Sequence, residues 1–140
     1  MDIEYSKTLE NISWSRVSQI FEQAGWGRRS PESLERAFAQ SSFCRFAYVD
    51  GELVGFGRTV DDGEFYGWVV DLVVIPDYQG LGVGTRILKE LEASLSSFIT
   101  TMLVATEGNG GFYERQGWFK QRSAYIYPRS EKQIEIFGER

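Results

Sequence analysis

The chain contains no histidine and a single cysteine, Cys44. The first absence removes Ser-His-Asp and Cys-His catalysis and every histidine-containing metal site. The second excludes an intrachain disulfide and a thiolate zinc site, so no metal is expected. Cys44 lies in the strand-like run SSFCRFAYV. With no imidazole to activate it, it reads as a small core residue rather than a nucleophile. Long apolar runs are also missing, and no window approaches the roughly 18 apolar residues of a spanning helix. The N-terminal MDIEYSKTLEN is acidic and polar, unlike a secretory signal, so a cytoplasmic location without membrane association is expected. Basic charge is in deficit, with 15 Lys+Arg against 20 Asp+Glu and a net charge of −5. That balance disfavours nonspecific nucleic-acid binding, which needs a basic surface.

What is present suits a folded enzyme-sized domain. The 140 residues, 42% of them hydrophobic, are enough for one core. No repeat, low-complexity segment or interdomain linker interrupts them. A single domain over residues 1–140 is expected, with 128–140 as a charged C-terminal extension.

The pattern along the chain predicts a mixed α/β (α+β type) fold. Ile3 and Tyr5 suggest a short first strand. Asn11 or Ser13 can cap a helix reaching about Ala24, with Trp14, Val17, Ile20 and Phe21 on one face. Ser30 and Pro31 start a second helix running to about Gln40. Phe43 to Val49, Leu53 to Val60 and Phe65 to Ile75 read as an antiparallel meander, turned at Asp50-Gly51 and at Asp61-Asp62-Gly63. Ile87, Leu88, Leu91 and Leu95 give a helix over about Gly82 to Ser97. Thr101 to Ala105, apolar on both faces, predicts a central strand. A short helix over Gly110 to Gln116 ends at Gly117. Trp118 to Gln121 and Ser123 to Tyr127 are strand-like, and the alternating Ile134-Glu135-Ile136-Phe137 suggests an edge strand or a partner contact. The order is β-α-α-β-β-β-α-β-α-β, a mostly antiparallel central sheet flanked by helices.

The glycines of Ile75-Pro76-Asp77-Tyr78-Gln79-Gly80-Leu81-Gly82-Val83-Gly84 stand between the third meander strand and that helix. A strand, a glycine-rich turn and a helix N-terminus together favour an anion through free N–H groups and the helix dipole. The dipole contributes only about 0.3–1 kcal/mol at exposed sites, so direct N–H contacts must supply most of the affinity. The Walker pattern fails because Thr85 follows Gly84 with no lysine between them. A dinucleotide fold also fails, since its glycines directly follow the first strand of a parallel unit.

Val73 to Gly84 resembles the acetyl-CoA-binding motif of the GNAT superfamily of N-acetyltransferases, whose core [Q/R]-x-x-G-x-[G/A] is met by Gln79, Gly82 and Gly84. Gly111-Phe112-Tyr113-Glu114-Arg115-Gln116-Gly117-Trp118 is similar to the family's second motif, F-Y-x-x-x-G-[F/W]. The likeness covers roughly residues 2 to 127 in matching order. It implies a GNAT-like fold with acetyl-CoA as cosubstrate. The amides of Gln79, Gly80, Leu81, Gly82, Val83, Gly84 and Thr85 would cradle the CoA pyrophosphate. Backbone groups of Leu72, Val73 and Val74 would pair with the pantetheine arm like an added strand, and a backbone N–H near Val73 would polarise the acetyl carbonyl. Asn109 and Phe112 would complete the cofactor side, although Asn109 stands only four residues before Tyr113, unlike the usual pattern.

The resemblance places Tyr113 as the general acid, a phenol that keeps its proton at neutral pH. Asp71, in the otherwise apolar Val69-Val70-Asp71-Leu72-Val73, is either the base or a hydrogen-bonded structural residue. Glu64 reads as solvated. Trp26, Arg28, Tyr66 and Trp68 would line the acceptor side, with Arg29 and Phe65 nearby. The two arginines could meet a substrate carboxylate or the CoA phosphates, or form a solvated pair. The implied reaction is transfer of acetyl to a primary amine of a small molecule in a ternary complex. The alternatives are a CoA-binding sensor without turnover and a peptide or protein N-acetyltransferase. A homodimer is compatible with the family.

Overall fold

The computed structural model describes residues 1–139, which fall into two compact units, Met1–Val104 and the segment from Ala105 onward. The first begins with β1 (Glu4–Ser6) and α1 (Trp14–Gln23). Ser13 caps α1 by accepting from the Arg16 N–H, and Val17, Ile20 and Phe21 form its buried face. α2 (Pro31–Gln40) starts as its sequence dictates: Ser30 accepts from the Ser33 N–H, proline opens the first turn, and Leu34 and Phe38 point inward. β2 (Cys44–Val49) and β3 (Glu52–Asp61) are joined by Asp50 and Gly51, both with positive φ, in a two-residue hairpin turn. β4 (Tyr66–Val74), α3 (Val83–Ser94) and β5 (Thr100–Leu103) complete the unit.

The strands lie in chain order β1-β2-β3-β4-β5, antiparallel except for the parallel β4–β5 pair that the α3 crossover creates. This mixed, mostly antiparallel sheet is the expected fold class. One face is covered by α1 and α2 through Phe21, Phe38, Phe46 and Phe56. Phe21 and Phe56 stand 5.2 Å apart, Phe38 and Phe46 5.7 Å. α3 covers the other face with Val83, Ile87, Leu88 and Leu91. There the helix comes so close that a Cβ on Gly67 would lie 2.7 Å from Leu95. Cys44 is buried in the first core, and its Sγ faces the Lys7 carbonyl at 3.7 Å.

In the second unit, α4 (Gly110–Arg115) ends at Gly117, which has a φ of +95°. It is followed by an irregular stretch and by α5 (Glu131–Phe137).

Three expectations are corrected. β5 is not central: among the described residues it pairs only with β4, and all four of its residues are half-buried. Neither Trp118 to Gln121 nor Ser123 to Tyr127 forms a strand. β propensity is realised only against a ladder partner, and these short runs have none. Ile134 to Phe137 belongs to α5 rather than to an edge strand. Ser130 accepts from the Gln133 N–H while Gln133 accepts from the Arg129 N–H, a reciprocal helix start that Ser130-Glu131-Lys132-Gln133 already spelled out.

Candidate functional site

β4 carries the site because its pairing changes halfway along. Its first half, Tyr66 to Val69, is paired on both edges, with β3 and with Thr100–Leu103 of β5. From Val70 to Val74 no β5 residue continues the parallel ladder. On the β3 side Phe56 lies opposite Val73 and Arg58 opposite Val70, so Gly57 faces two residues, Asp71 and Leu72. This is a bulge, and Asp71 takes a φ of +55° within it.

Past the bulge the ladder resumes. The Ile75 N–H donates to the Val54 carbonyl at 2.9 Å. By antiparallel alternation Val73 also faces β3, and Val74 turns its polar groups toward the open edge. The Val74 carbonyl accordingly accepts from Gln79 Nε2 at 2.8 Å. By the same alternation the Val74 N–H, next to Val73, points away from β3. Gln79, expected for its backbone, also uses its side chain to fasten the loop to β4.

A short 3-10 turn, Pro76–Tyr78, leads to the glycines. Gly80 and Gly82 have φ of +78° and +86°, and a Cβ on either would meet nothing within 4 Å. These positions are glycine for the left-handed backbone, and the space beside them is open. Gly82 caps α3 without any side-chain hydrogen bond. The helix start thus offers main-chain donors from its first turn, where Val83 and Gly84 stand. Leu81 is exposed. An anionic, extended ligand laid along β4 and onto this turn fits the residues present. Among the described residues no group of three or more His, Cys, Asp or Glu could hold a metal ion.

Asp71 is enclosed by guanidinium groups. Its Oδ2 accepts from Arg58 Nε at 2.8 Å and its Oδ1 from Arg29 Nη1 at 3.1 Å. Arg58 also donates to Ser41 Oγ at 3.1 Å and lies over the Phe38 ring. Both carboxylate oxygens are engaged, which is the hydrogen-bonded arrangement that a charge in an apolar strand requires. The sequence reading missed Arg58, although a lone arginine in the apolar Leu53 to Val60 run was the visible counterpart of Asp71.

The expected acceptor residues divide. Trp26 is half-buried, its ring 5.6 Å from that of Phe21. Arg28 turns outward, with Nε 3.6 Å from Glu22. Arg29, its neighbour, turns inward to Asp71. Gly67 and Val69 face α3, so Tyr66 and Trp68 lie on the opposite face of β4, where both are exposed. Phe65 and Glu64 are exposed at the turn, where Asp62 Oδ1 accepts from the N–H groups of Glu64, Phe65 and Tyr66.

In the second unit, Tyr113 is half-buried on α4, its ring 5.1 Å from that of Phe112 in an edge-to-face contact. Burial pushes its phenol above the ordinary value, favouring the protonated form. The Gln116 and Trp118 N–H groups both donate to the Tyr113 carbonyl, fixing the end of the helix. Asn109 turns its side-chain amide back to Thr106 Oγ1.

Comparison with known proteins places the sequence and the fold. The model of the Acetyltransferase (GNAT) family matches residues 8–118. The chain is 31% identical over 128 residues to serotonin N-acetyltransferase 2, chloroplastic, of Oryza sativa subsp. japonica, covering 85% of this chain and 64% of that one. It is 28% identical over 135 residues to the uncharacterized N-acetyltransferase ycf52 of Pyropia yezoensis, covering 89% and 78%. Among solved structures, a GNAT family acetyltransferase of Streptococcus pneumoniae superposes with a TM-score of 0.76 at 28% identity, covering 92% of this chain and all of that one. A probable acetyltransferase of Staphylococcus aureus reaches a TM-score of 0.81 at 19% identity over 92% of this chain, a likeness of fold. The glycine turn, the half-open β4 and these relatives lead to one conclusion: the chain belongs to the GNAT family of acetyltransferases and is an acyltransferase enzyme.

Proposed function

We propose that the protein transfers the acetyl group of acetyl-CoA to a primary amine of a small molecule by direct attack within a ternary complex. The observation that carries this reading is Gly82, the left-handed N-cap of α3 with no side-chain cap bond, beside a β4 edge that among the described residues no strand covers beyond Val69. Main-chain donors of the Gly80–Thr85 turn would hold the pyrophosphate, and Val74 would pair with the pantetheine arm. Acetyl-CoA supplies the activated thioester. The acceptor amine, in its neutral form, forms the new C–N bond as the C–S bond breaks, and the surplus proton on its nitrogen leaves to water, which restores the proton that the acid gives up. Tyr113, its phenol kept protonated by burial, would donate its proton to the departing sulfur. Such acid catalysis contributes typically about 10²–10⁴-fold.

Asp71 is better suited to positioning than to proton abstraction, because both of its oxygens accept from arginines. Its role would be to hold Arg29 and Arg58 beside the bulge. The net charge of −5 supports a small amine rather than a nucleic acid as partner. The rice relative's name gives serotonin, a small aromatic amine, as that enzyme's acceptor.

Thiol release from acetyl-CoA, measured against small amines and short peptides with a CoA thermal shift in parallel, tests this function. Thiol release with small amines is expected. A CoA-induced shift without release from any acceptor would instead support a sensor, and release with peptides alone would support a peptide N-acetyltransferase.

A further inference from the structure

Two arginines face one aspartate at the β4 bulge, so among the described residues the cluster carries one uncompensated positive charge. Arg58 is mostly committed: it bonds Asp71 and Ser41 and packs over Phe38, with its side chain only 16% exposed. Arg29 is different. Among the described residues its side chain makes one hydrogen bond, from Nη1 to Asp71, and the side chain is 37% exposed. Most of its five N–H donors are therefore free to bind something else.

Arg29 is nonetheless held firmly. Its guanidinium lies 4.3 Å from the centre of the Phe21 ring and 6.0 Å from that of Trp26. Its backbone carbonyl accepts from Ser18 Oγ. A solvated surface arginine has no need of this fixing, and Arg28, one residue earlier, shows the contrast by pointing out to Glu22. Asp71 also lies at the step where β4 passes from its paired half to its open half. At about 3.3 Å per residue, the backbone of Asp71, to which Arg29 is bonded, thus stands within roughly 10 Å of Val74.

We propose that Arg29 binds an oxyanion on the acceptor, a carboxylate or phosphate carried close to the reacting amine. The inference rests on the acetyl-transfer reading above and names its substrate class. A simple amine arrives as an ammonium ion, and an uncompensated guanidinium repels it. An acceptor with its own anion turns that repulsion into a two-pronged, charge-assisted contact. Tyr66 and Trp68, exposed on the α1/α2 side of β4, offer apolar surface for the rest of such a molecule.

The test compares acceptors with their anion-free twins: phenylalanine with phenethylamine, tryptophan with tryptamine, and O-phosphoethanolamine with ethanolamine. For at least one pair the wild type should favour the anionic member by about 10–100-fold in kcat/KM, the range of a hydrogen bond to a charged group. The carboxylate and phosphate arms tell the two oxyanions apart. Arg29→Gln should remove that preference, mainly by raising KM for the anionic member, and by ending the repulsion should improve use of the anion-free twin. Arg29→Lys, which keeps the charge without the fork, should fall between.

Melting temperature and CoA affinity, measured for each variant, establish that it folds and keeps its cosubstrate site. Binding of the N-acetylated products in the presence of CoA gives a readout independent of turnover. Equal use of both twins by the wild type, or a preference unchanged in Arg29→Gln, overturns the anion site while acetyl transfer stands. No thiol release with any amine, together with Arg29-dependent binding of the anionic acetylated product, overturns the acetyl-transfer reading and leaves the anion site standing.

Discussion

Arg58 and Asp71 meet across the β3–β4 bulge at 2.8 Å, with Asp71 in a left-handed conformation that few residues other than glycine adopt. The ion pair and the unusual backbone are one feature, since the bulge is what turns the carboxylate toward the arginines. Asp71→Asn keeps the shape and the tolerance for positive φ but removes the charge. It should cost about 2–3 kcal/mol in urea unfolding, the scale of a charged hydrogen-bond network losing one member. Asp71→Ala should cost about 1–2 kcal/mol more, because alanine is strained at that φ. Equal losses in the two variants would mean that the backbone at this position is unstrained.

Gly82→Ala separates conformation from binding. A Cβ there meets no neighbour, so any loss of stability comes from the φ of +86° and should be about 1–2 kcal/mol. Gly82→Glu adds bulk and negative charge where the pyrophosphate is proposed to lie. Calorimetry should show CoA binding abolished, and unchanged affinity would sink the pyrophosphate assignment.

Tyr113→Phe deletes the proposed proton donor while keeping the ring against Phe112. CoA affinity should persist and kcat should fall at least about tenfold. A wild-type rate would mean that water or another group protonates the thiolate.

Stability should decline at both ends of the pH scale. On the acid side, burial works to raise Asp61, but hydrogen bonds from Ser42, Thr59 and Gly63 outweigh it and hold the carboxyl below its ordinary value. Asp62 is lowered by the Glu64, Phe65 and Tyr66 N–H groups, and Glu90 by Arg86 and Arg45. Groups lowered by folding stabilise above their unfolded values, near pH 4, and that contribution is lost as pH falls through the folded ones. On the alkaline side, burial raises Tyr5, Tyr48 and Tyr113. Their contribution holds below about pH 10 and is lost as pH rises through the folded values. Chemical denaturation across pH checks both limbs, and Asp61→Asn should flatten the acid one.

The sequence by itself determined whatever depends on neighbours along the chain. Ser13 and Ser30 announced their helices, and Asp50-Gly51 announced the hairpin. The turn before α3 was readable because positive φ, a missing side-chain cap and glycine go together at Gly80 and Gly82. The start of α5 was equally legible in Ser130 to Gln133, but the alternation of Ile134 to Phe137 suggested a strand instead. Tertiary structure decided the rest. β5 lies at an edge because pairing depends on a strand elsewhere in the chain, and Trp118 to Tyr127 supplies none. Asp71 could not be told from a base until Arg29, 42 residues away, and Arg58, 13 away, were seen on its two oxygens. Arg28 and Arg29 are indistinguishable as letters. Only the packing of α1 against the sheet turns one to solvent and draws the other over Phe21 to the carboxylate, because a charge is brought beneath the surface only where a partner is already held to receive it.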